Sequence, residues 1–453
     1  MIHDTLTRRA FLAATTTTAL LAATTARAND ARVVPRKLSP NEKLNVAAIG
    51  VGGQGLTDIM NCRKENVVAL CDVDWKRAEE AFYRLPDARR FIDFREMLEA
   101  MPEIDAVTIS TPDFMHAPAT YTAMKLGKHV YVQKPLAHTP MEARLLARTA
   151  AETGVVTQMG NQGHSSAGAR RFCEILWSGE IGEVREAHAW TDRPGRRWHR
   201  DPAALESGEP VPEQLDWDLW LGCGPRRPYS EILHPNKWRV WWDYGCGALG
   251  DMACHVLDAP YWALKLGEAA AFTVEPVLAE GGSDVQTPAA CVLKFSFPER
   301  AGMPPVDLYW HDGGKLPQRP PGVPNGERLG DKDGGSFLIG TAGVLGTGTY
   351  GTTTSLLPAA RMERYTLPPE ILPRVSGSHY RNWIEACKGG DPACSSFDYA
   401  APFTEMILVG NIALRVGEKV KYDFANGAVL NNPAAQALLS KEYQNGWTLP
   451  VDP

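Results

Sequence analysis

A short glycine pattern near residue 50 constrains the fold of this 453-residue chain more than any other feature. An apolar run at 44–49 is typical of a buried strand, and G-x-G-x-x-G follows it directly. Glycine at these three places allows a tight turn, a close backbone approach to a pyrophosphate, and close packing of the next helix on the strand. The loop residues predicted to hold a dinucleotide are Gly50, Gly52, Gly53, Gln54 and Gly55.

An acidic residue stands at the distance at which dinucleotide-binding folds recognise a ribose. A second apolar run, 66–71, ends at Asp72, which lies 22 residues after Gly50. A carboxylate there accepts hydrogen bonds from ribose hydroxyls and repels a 2′-phosphate, so it favours NAD. Lys76 and Arg77 follow closely, and these two cations leave NADP open as the alternative.

The chain beyond Asp72 keeps alternating between strand-like apolar runs and helical patterns up to about residue 160. Such alternation predicts a parallel sheet with helices on both faces. We therefore expect an α/β fold whose first domain, 44–160, is a doubly wound Rossmann sheet. From residue 161 the alternation ends, and 161–453 is expected to form a second domain for substrate binding and oligomerisation.

Three further segments carry motifs of one known family. Residues 111–116 have the form T-P-x-x-x-H, 133–135 read Gln-Lys-Pro, and 245–258 are glycine-rich with D-x-x-x-H among them. In this order they resemble the glucose-fructose oxidoreductase and inositol dehydrogenase family (Gfo/Idh/MocA). The resemblance implies a second α/β domain with an open, mostly antiparallel sheet. The apolar face of 402–415 predicts final helices that pack back on the Rossmann domain. The resemblance places beside the cofactor Thr111, Pro112, His116, Gln133 and Lys134.

Three side chains are candidates for the chemical step. Asp251 and His255 are four residues apart, so on a helix they project from one face. Histidine titrates near neutrality and can take the proton of a hydroxyl while hydride leaves carbon, and Asp251 can orient the substrate or stabilise the imidazolium. Lys134 follows a strand end, where open α/β sheets place ligands. The resemblance implies that Lys134 hydrogen-bonds the reacting hydroxyl.

Gln133 departs from the family motif, which usually has glutamate at this place. An amide can still hydrogen-bond the nicotinamide ribose, but it adds no negative charge. The affinity for the cofactor and its redox properties therefore do not follow from the motif alone.

Tryptophan is concentrated in the second half, where eight of the thirteen fall between 190 and 262. Aromatic faces suit the C–H faces of sugars, and Arg or His beside them can bind hydroxyls. Alternatively, these tryptophans are core residues or anchors of a subunit interface. The candidate substrate residues are Trp198, His199, Arg239, His311 and Tyr380.

The N-terminus has the order of an export signal. Two arginines at positions 8 and 9 precede an Ala/Thr/Leu-rich run, and Ala26-Arg27-Ala28 fits a small-residue cleavage site. This order predicts a twin-arginine signal peptide over 1–28, a linker over 29–43, and a periplasmic or otherwise extracytoplasmic protein. The apolar run is too short and too rich in threonine for a stable span, so no membrane association is expected after cleavage.

Charge and cysteine content narrow the classes of partner. The 47 basic residues against 53 acidic ones give a net charge of −6, which argues against a nucleic-acid partner. Nine scattered cysteines include no C-x-x-C and no paired Cys/His spacing, so no metal site is expected. We expect a small-molecule partner, a carbohydrate according to the resemblance, bound by a homo-oligomer.

These features predict an exported NAD(P)-dependent oxidoreductase that transfers hydride between a sugar or polyol and nicotinamide. Because NADH released outside the cytosol could not be recycled, we expect the cofactor to be tightly held. Two alternatives stay open. One is an NAD-dependent glycoside hydrolase that oxidises C3 transiently and eliminates the aglycone, and the other is a non-catalytic sugar-binding protein on the same fold.

Overall fold

Apolar strands in the first part of the chain assemble into one parallel sheet. The computed structural model describes residues 34–194, 198–206 and 208–451. The six strands are β1 (Asn45–Ile49), β2 (Asn66–Cys71), β3 (Arg89–Phe91), β4 (Ala106–Ile109), β5 (His129–Val132) and β6 (Thr157–Met159). Their order is β3-β2-β1-β4-β5-β6, and all neighbouring pairs are parallel. The Rossmann sheet predicted from the alternation is confirmed.

Five helices connect these strands, and short polar side chains begin several of them. They are α1 (Gln54–Asn61), α2 (Trp75–Arg84), α3 (Phe94–Ala100), α4 (His116–Lys125) and α5 (Pro140–Thr153). The Asp74 carboxylate accepts the N–H groups of Lys76 and Arg77 at the start of α2. Thr139 and Glu142 form a capping box at the start of α5. These caps set where each helix begins and thereby position the loops at the sheet edge.

The later strands form a second sheet of a different kind. Its nine strands are β7 (Val184–Thr191), β8 (Ala271–Glu280), β9 (Ala290–Phe297), β10 (Val306–His311), β11 (Gly334–Gly340), β12 (Gly343–Gly348), β13 (Thr354–Leu357), β14 (Val420–Asp423) and β15 (Ala428–Val429). The order is β13-β12-β11-β7-β10-β9-β8-β14-β15. Only β7 and β10 pair in parallel among the described strands of this sheet. The mostly antiparallel second sheet is therefore confirmed.

Helices of the second half lie between and around the two sheets. They are α6 (Ala167–Trp177), α7 (Trp217–Leu221), α8 (Gly247–Val256), α9 (Asp258–Ala263), α10 (Ala359–Met362), α11 (His379–Cys387), α12 (Phe397–Val416) and α13 (Pro433–Ala437). Short 3-10 helices cover Asp113–Met115, Gln162–Ser165, Pro202–Glu206, Lys237–Val240 and Leu266–Glu268. Helix α8 carries both candidate residues of the D-x-x-x-H motif, and it is buried along its whole length.

Helix α12 joins the two halves into one core. It contacts α5 and β6 of the first sheet layer as well as α8 and β8 of the second. A Cβ at Gly410 would lie 2.8 Å from side-chain atoms of both Leu249 and Phe295, so glycine permits this close approach. One hydrophobic cluster accordingly contains buried residues of both sheets. The domain boundary between residues 160 and 161 stays a prediction.

The predicted signal peptide, 1–28, and the first part of the linker lie outside the described residues. The rest of the linker is tied to the Rossmann sheet, because Nε and Nη2 of Arg36 donate to the Asp105 carboxylate at 2.7 and 2.9 Å. None of the helices in the described ranges combines the length and the apolar character that a membrane span needs.

Candidate functional site

A cavity of about 420 Å³ runs along the carboxyl edge of the Rossmann sheet to helix α8. Residues that follow β1, β2, β4 and β5 line one side of it, and residues of α8 line the far end. Open α/β sheets place their ligands at this edge. The sequence-predicted residues that line the cavity are Gly50, Gly52, Gly53, Gln54, Asp72, Thr111, Pro112, His116, Gln133, Lys134, Arg239, Asp251 and His255.

The glycine loop has the backbone conformation that a phosphate site requires. Gly50 has φ +76° and Gly53 has φ +58°, a left-handed region that side chains with a Cβ rarely adopt. No side chain of the described residues caps helix α1, which begins directly after Gly53. The N–H groups of its first turn are therefore suited to a pyrophosphate. The loop fits the dinucleotide that its sequence predicts.

Gly55 lies behind the loop and does not line the cavity. A Cβ at Gly55 would lie 1.9 Å from the carbonyl oxygen of Gly50, so another residue there would push α1 away from the strand. A Cβ at Gly52 would lie 3.1 Å from the Cβ of Arg77. These close approaches explain in physical terms why the motif needs glycine at these positions.

Asp72 lines the cavity beside the loop and also holds the loop in place. Its Oδ2 accepts the N–H groups of Val51 at 2.8 Å and of Gly52 at 3.2 Å, and its Oδ1 accepts the N–H of Asp74 at 2.9 Å. Burial raises the pKa of Asp72, although these hydrogen bonds oppose the shift. Its contact with a ribose stays a prediction, and the structure adds a second role as the acceptor that shapes the loop.

Lys134 and Asp251 form an ion pair at the other end of the cavity. Nζ of Lys134 donates to Oδ1 of Asp251 at 2.8 Å and to its carbonyl oxygen at 2.7 Å. Nη1 of Arg193 donates to Oδ2 at 2.5 Å, and Nε of Arg239 lies 3.5 Å from Oδ1. Burial would raise the pKa of Asp251, but the charges of Lys134, Arg239 and Arg193 hold that pKa well below its usual range. Asp251 is therefore ionised throughout the neutral range.

His255 is buried one helical turn after Asp251. Burial, followed by the charge of Lys134, lowers the pKa of His255 to about 3. Its Nδ1 is buried and has no hydrogen-bond partner among the described residues, and its ring centre lies 4.9 Å from that of Tyr350. The imidazole is consequently neutral near pH 7 and can accept a proton.

A buried carboxylate that no motif indicated lies directly behind the cavity. Asp58, on α1, accepts the side-chain amide of Gln133 at 2.9 and 3.1 Å and that of Gln54 at 2.8 Å. It also accepts the hydroxyls of Ser110 at 2.6 Å and Tyr380 at 2.7 Å. Burial raises the pKa of Asp58, and its four donors oppose the shift. A carboxylate thus neighbours the position at which the family motif usually has glutamate.

His116 connects the two cofactor motifs. Its Nδ1 lies 2.6 Å from the carbonyl oxygen of Pro135, and its Nε2 lies 2.9 Å from that of Thr111. Burial lowers the pKa of His116 to about 4, against the effect of these two carbonyl groups. The ring therefore holds the residue that follows Lys134 against the T-P-x-x-x-H turn.

Among the five candidate substrate residues, the structure brings only Arg239 to the cavity. The other four lie elsewhere: Trp198, His199, His311 and Tyr380. His199 contacts the carbonyl oxygen of Thr287 at 2.9 Å, and His311 pairs across the second sheet with His188 at 3.1 Å. Composition alone could not tell which side of a strand or loop would face the cavity.

The cavity residues that the sequence prediction missed include three that contact helix α8 or the residue before it. Asp113 follows β4, Arg193 follows β7, and Tyr350 follows β12. Burial raises the pKa of Asp113 to about 6, against the charges of Arg239 and Lys134. Asp113 lies inside the T-P-x-x-x-H segment, so the motif could have indicated it as a site residue. No local pattern distinguishes Arg193 and Tyr350 from ordinary loop residues.

Two family models match the chain, one for each sheet. Residues 44–161 match an oxidoreductase family with an NAD-binding Rossmann fold, and residues 197–291 match the C-terminal alpha/beta domain of an oxidoreductase family. The first match contains the glycine loop and Lys134, and the second contains Asp251 and His255. Both models describe domains of the Gfo/Idh/MocA oxidoreductase family. The first sheet of the chain and its helices form an NAD-binding Rossmann domain.

Curated proteins resemble this chain over part of their length. Inositol 2-dehydrogenase of Serratia proteamaculans is 27% identical over 186 residues, which are 39% of this chain and 54% of that protein. The 1,5-anhydro-D-fructose reductase of Ensifer adhaerens is 37% identical over 87 residues, which are 19% of this chain and 26% of that protein. The chain thus spans about half or less of the length of these two relatives.

Solved structures share the Gfo/Idh/MocA fold over most of the chain. An inositol dehydrogenase homolog from Azotobacter vinelandii, complexed with NAD+, has a TM-score of 0.58 at 18% identity and covers 86% of this chain and 99% of its own. The WlbA dehydrogenase from Bordetella pertussis, in complex with NADH and UDP-GlcNAcA, has a TM-score of 0.58 at 15% identity and covers 83% and 98%. At sequence identities of 15% and 18%, these structural similarities establish the fold alone.

Proposed function

We propose that this protein is an exported Gfo/Idh/MocA oxidoreductase that transfers hydride between a sugar or polyol and a tightly held NAD. The observation that carries the proposal is the meeting of Lys134, Asp251 and His255 in one cavity with the glycine loop. The loop end suits a dinucleotide, and the far end has groups that can bind and deprotonate a hydroxyl.

His255 and Lys134, at the far end of the cavity, have different roles in the proposed alcohol oxidation. Bound NAD would supply the hydride acceptor. His255 is neutral and can accept the hydroxyl proton, a contribution of typically about 10²- to 10⁴-fold. The ammonium group of Lys134, held by Asp251, can donate to the same substrate oxygen and stabilise the negative charge that develops on it.

Names of similar proteins support a hydroxylated substrate. Two relatives are an inositol 2-dehydrogenase and a 1,5-anhydro-D-fructose reductase. One solved structure is an inositol dehydrogenase homolog with NADH and myo-inositol, and another is a dehydrogenase with NADH and UDP-GlcNAcA. Polyols and sugars are the chemistry that these proteins have in common.

Export and retention of the cofactor belong to the same proposal. Their support is the sequence of 1–28, with its two arginines, apolar run and small-residue site. The twin-arginine route carries folded proteins, so a dinucleotide bound in the cytosol can travel with the chain. A retained cofactor would then be reduced by one substrate and reoxidised by another. We also propose a homo-oligomer, on the family resemblance alone.

Mass spectrometry of the natively purified protein tests the central claim. We expect one bound nicotinamide nucleotide per chain and its reduction by at least one member of a sugar and polyol panel. The variant Lys134→Met should keep the nucleotide and lose the reduction. A wild-type protein that binds no nucleotide, even at millimolar NAD, would refute the proposal.

The same preparation separates the two alternatives. Release of an aglycone from a nitrophenyl glycoside without net NADH would indicate the glycoside hydrolase. If a variant in which both Lys134 and His255 are replaced keeps the protein's biological effect, catalysis is dispensable. That outcome would indicate the non-catalytic sugar-binding protein. Export is checked separately, because replacing the arginines at positions 8 and 9 by lysine should retain the protein in the cytosol.

A further inference from the structure

The substrate end of the cavity carries more positive than negative charge. Lys134, Arg193 and Arg239 all lie within 3.5 Å of the single carboxylate of Asp251, so three positive charges surround one negative charge and the cluster is +2. Among the described residues, Asp113 is the other carboxyl group that lines this end. Even with Asp113 ionised, the net charge of this end of the cavity remains +1.

The excess positive charge is accessible, whereas the carboxylate is enclosed. The side chain of Asp251 is 7% exposed, and those of Arg193 and Arg239 are 39% and 30% exposed. Both arginines line the cavity. In the described ranges, Arg193 uses only Nη1 and Arg239 only Nη1 and Nε for these contacts, which leaves Nε and Nη2 of Arg193 and Nη2 of Arg239 without a hydrogen-bond partner. Guanidinium donors are thus available beside the groups proposed to bind the reacting hydroxyl.

Arg239 is held in position before any substrate binds. Its guanidinium group stacks on the ring of Trp238 at 4.3 Å, and its Nη1 donates to the carbonyl oxygen of Asn236 at 3.0 Å. A Cβ at Gly245 would lie 2.6 Å from the Cα and carbonyl oxygen of Arg239, so glycine allows this backbone to approach the start of α8. A guanidinium that is already ordered loses less entropy when it binds an anion.

We propose that the substrate is a sugar acid, whose carboxylate binds Arg193 and Arg239 while one of its hydroxyls lies at Lys134 and His255. This inference rests on the function proposed above. A planar carboxylate matches the fork of a guanidinium group. Its single negative charge also balances the +1 that remains when Asp113 is ionised, whereas a neutral sugar leaves that charge uncompensated.

Matched substrate pairs test the inference on the full-length, nucleotide-loaded protein. D-glucuronate is compared with D-glucose, and D-galacturonate with D-galactose, by reduction of the bound nucleotide. Calorimetry measures the binding of each sugar in parallel, so that affinity is known apart from turnover. Because hydrogen bonds between charged groups are among the stronger ones, we expect a uronate to exceed its parent sugar by about ten- to one-hundredfold in kcat/KM and in affinity.

Variants that remove one arginine charge show which residue binds the carboxylate of the uronate. Arg239→Gln should lower the affinity for the uronate by the same factor and that for the neutral sugar by much less. Arg193→Gln serves as the second variant if the first does not fold, and thermal unfolding checks each of them. The matched control is Arg226→Gln, because Arg226 is exposed and pairs with Asp218 on the surface.

The outcomes distinguish this inference from the proposed function. Equal affinity for the uronates and their neutral parents would overturn the sugar-acid inference, and so would a preference for D-glucose 6-phosphate. Uronate binding that depends on Arg239, without reduction of the nucleotide by any sugar, would support the acid site and overturn the proposed oxidation. Absence of bound nucleotide would overturn the proposed function itself, and calorimetry would still decide whether uronates bind.

Discussion

The side-chain amide of Gln133 donates to both carboxylate oxygens of Asp58, at 2.9 and 3.1 Å. Gln133 stands where the family motif usually has glutamate, and Asp58 lies on α1 behind the glycine loop. The negative charge that the motif lacks is therefore present on the neighbouring side chain. A glutamate at position 133 would face Asp58 within hydrogen-bond distance, and two buried carboxylates at that distance repel each other.

Gln133→Glu should therefore destabilise the protein by about 2–4 kcal/mol, because it adds a second buried charge without a cation. Adding Asp58→Asn to this variant should recover most of the loss, since one carboxylate and one amide again face each other. Urea unfolding of the wild type, both single variants and the double variant gives the coupling free energy. Strictly additive single effects would show that the two side chains do not interact.

A matched control for this pair is Gln162→Glu. The amide of Gln162 donates to the hydroxyls of Tyr380 at 3.3 Å and Tyr131 at 3.4 Å, and within the described part of the chain it has no hydrogen bond to a carboxylate. We expect a smaller loss of stability than in Gln133→Glu, and no recovery when Asp58→Asn is added. Recovery in the control would point to a general effect of Asp58 on the fold.

Lys134→Met should lower kcat by about 10²- to 10³-fold, the range for a lost donor to a developing oxyanion, with the nucleotide still bound. Asp251 would keep Arg193 and Arg239, so its charge stays compensated. Loss of the Lys134 charge should also raise the pKa of His255 from about 3. Nucleotide content, kcat and histidine titration by NMR check these three expectations, with Lys125→Met on the surface of α4 as control.

The wild type should prefer NAD to NADP, because the Asp72 carboxylate lies beside the loop and would repel a 2′-phosphate. Asp72→Ser should weaken NAD binding, since Val51 and Gly52 lose their acceptor, and should shift the NADP to NAD affinity ratio toward NADP. Adding Arg77→Gln should reverse that shift, because Arg77 lines the same cavity. Fluorescence titration with both reduced nucleotides measures the ratio, and an unchanged ratio in Asp72→Ser would contradict the assignment.

His129 should make the fold sensitive to mild acid. Its Nδ1 accepts the N–H of Val156 at 2.9 Å, which requires the neutral ring, and burial lowers its pKa from 6.5 to about 4. Between these values the unfolded chain binds a proton that the folded chain does not. The stabilising contribution is therefore complete above about pH 6.5 and is lost as the pH falls toward 4.

His129→Asn keeps an acceptor near Nδ1 and removes the titration. Between pH 7 and pH 5 the free energy of unfolding of the wild type should fall by about 2 kcal/mol more than that of the variant. Urea unfolding at both pH values measures the difference. Equal losses in the two proteins would show that His129 is not the acid-sensitive group.

Much of the fold and part of the site follow from local sequence. The predicted first strand, 44–49, is observed as Asn45–Ile49, and the glycines that follow it have the close contacts that the motif requires. The hydrophobic periods of strands and helices, like the steric need for glycine, depend on residues close together in the chain. A single sequence therefore reveals them. The motif residues Lys134, Asp251 and His255 could be named for the same reason.

Sequence alone thus determined the order of elements in the first domain, the dinucleotide loop and three candidate side chains for the chemical step. The tertiary structure decided which distant residues join them. It placed Arg193 on Asp251 from 58 residues away and Tyr380 on Asp58 from 322 residues away, and it kept His311 out of the cavity. These contacts depend on how loops of two sheets pack around α8 and α1, and no short-range period encodes that packing.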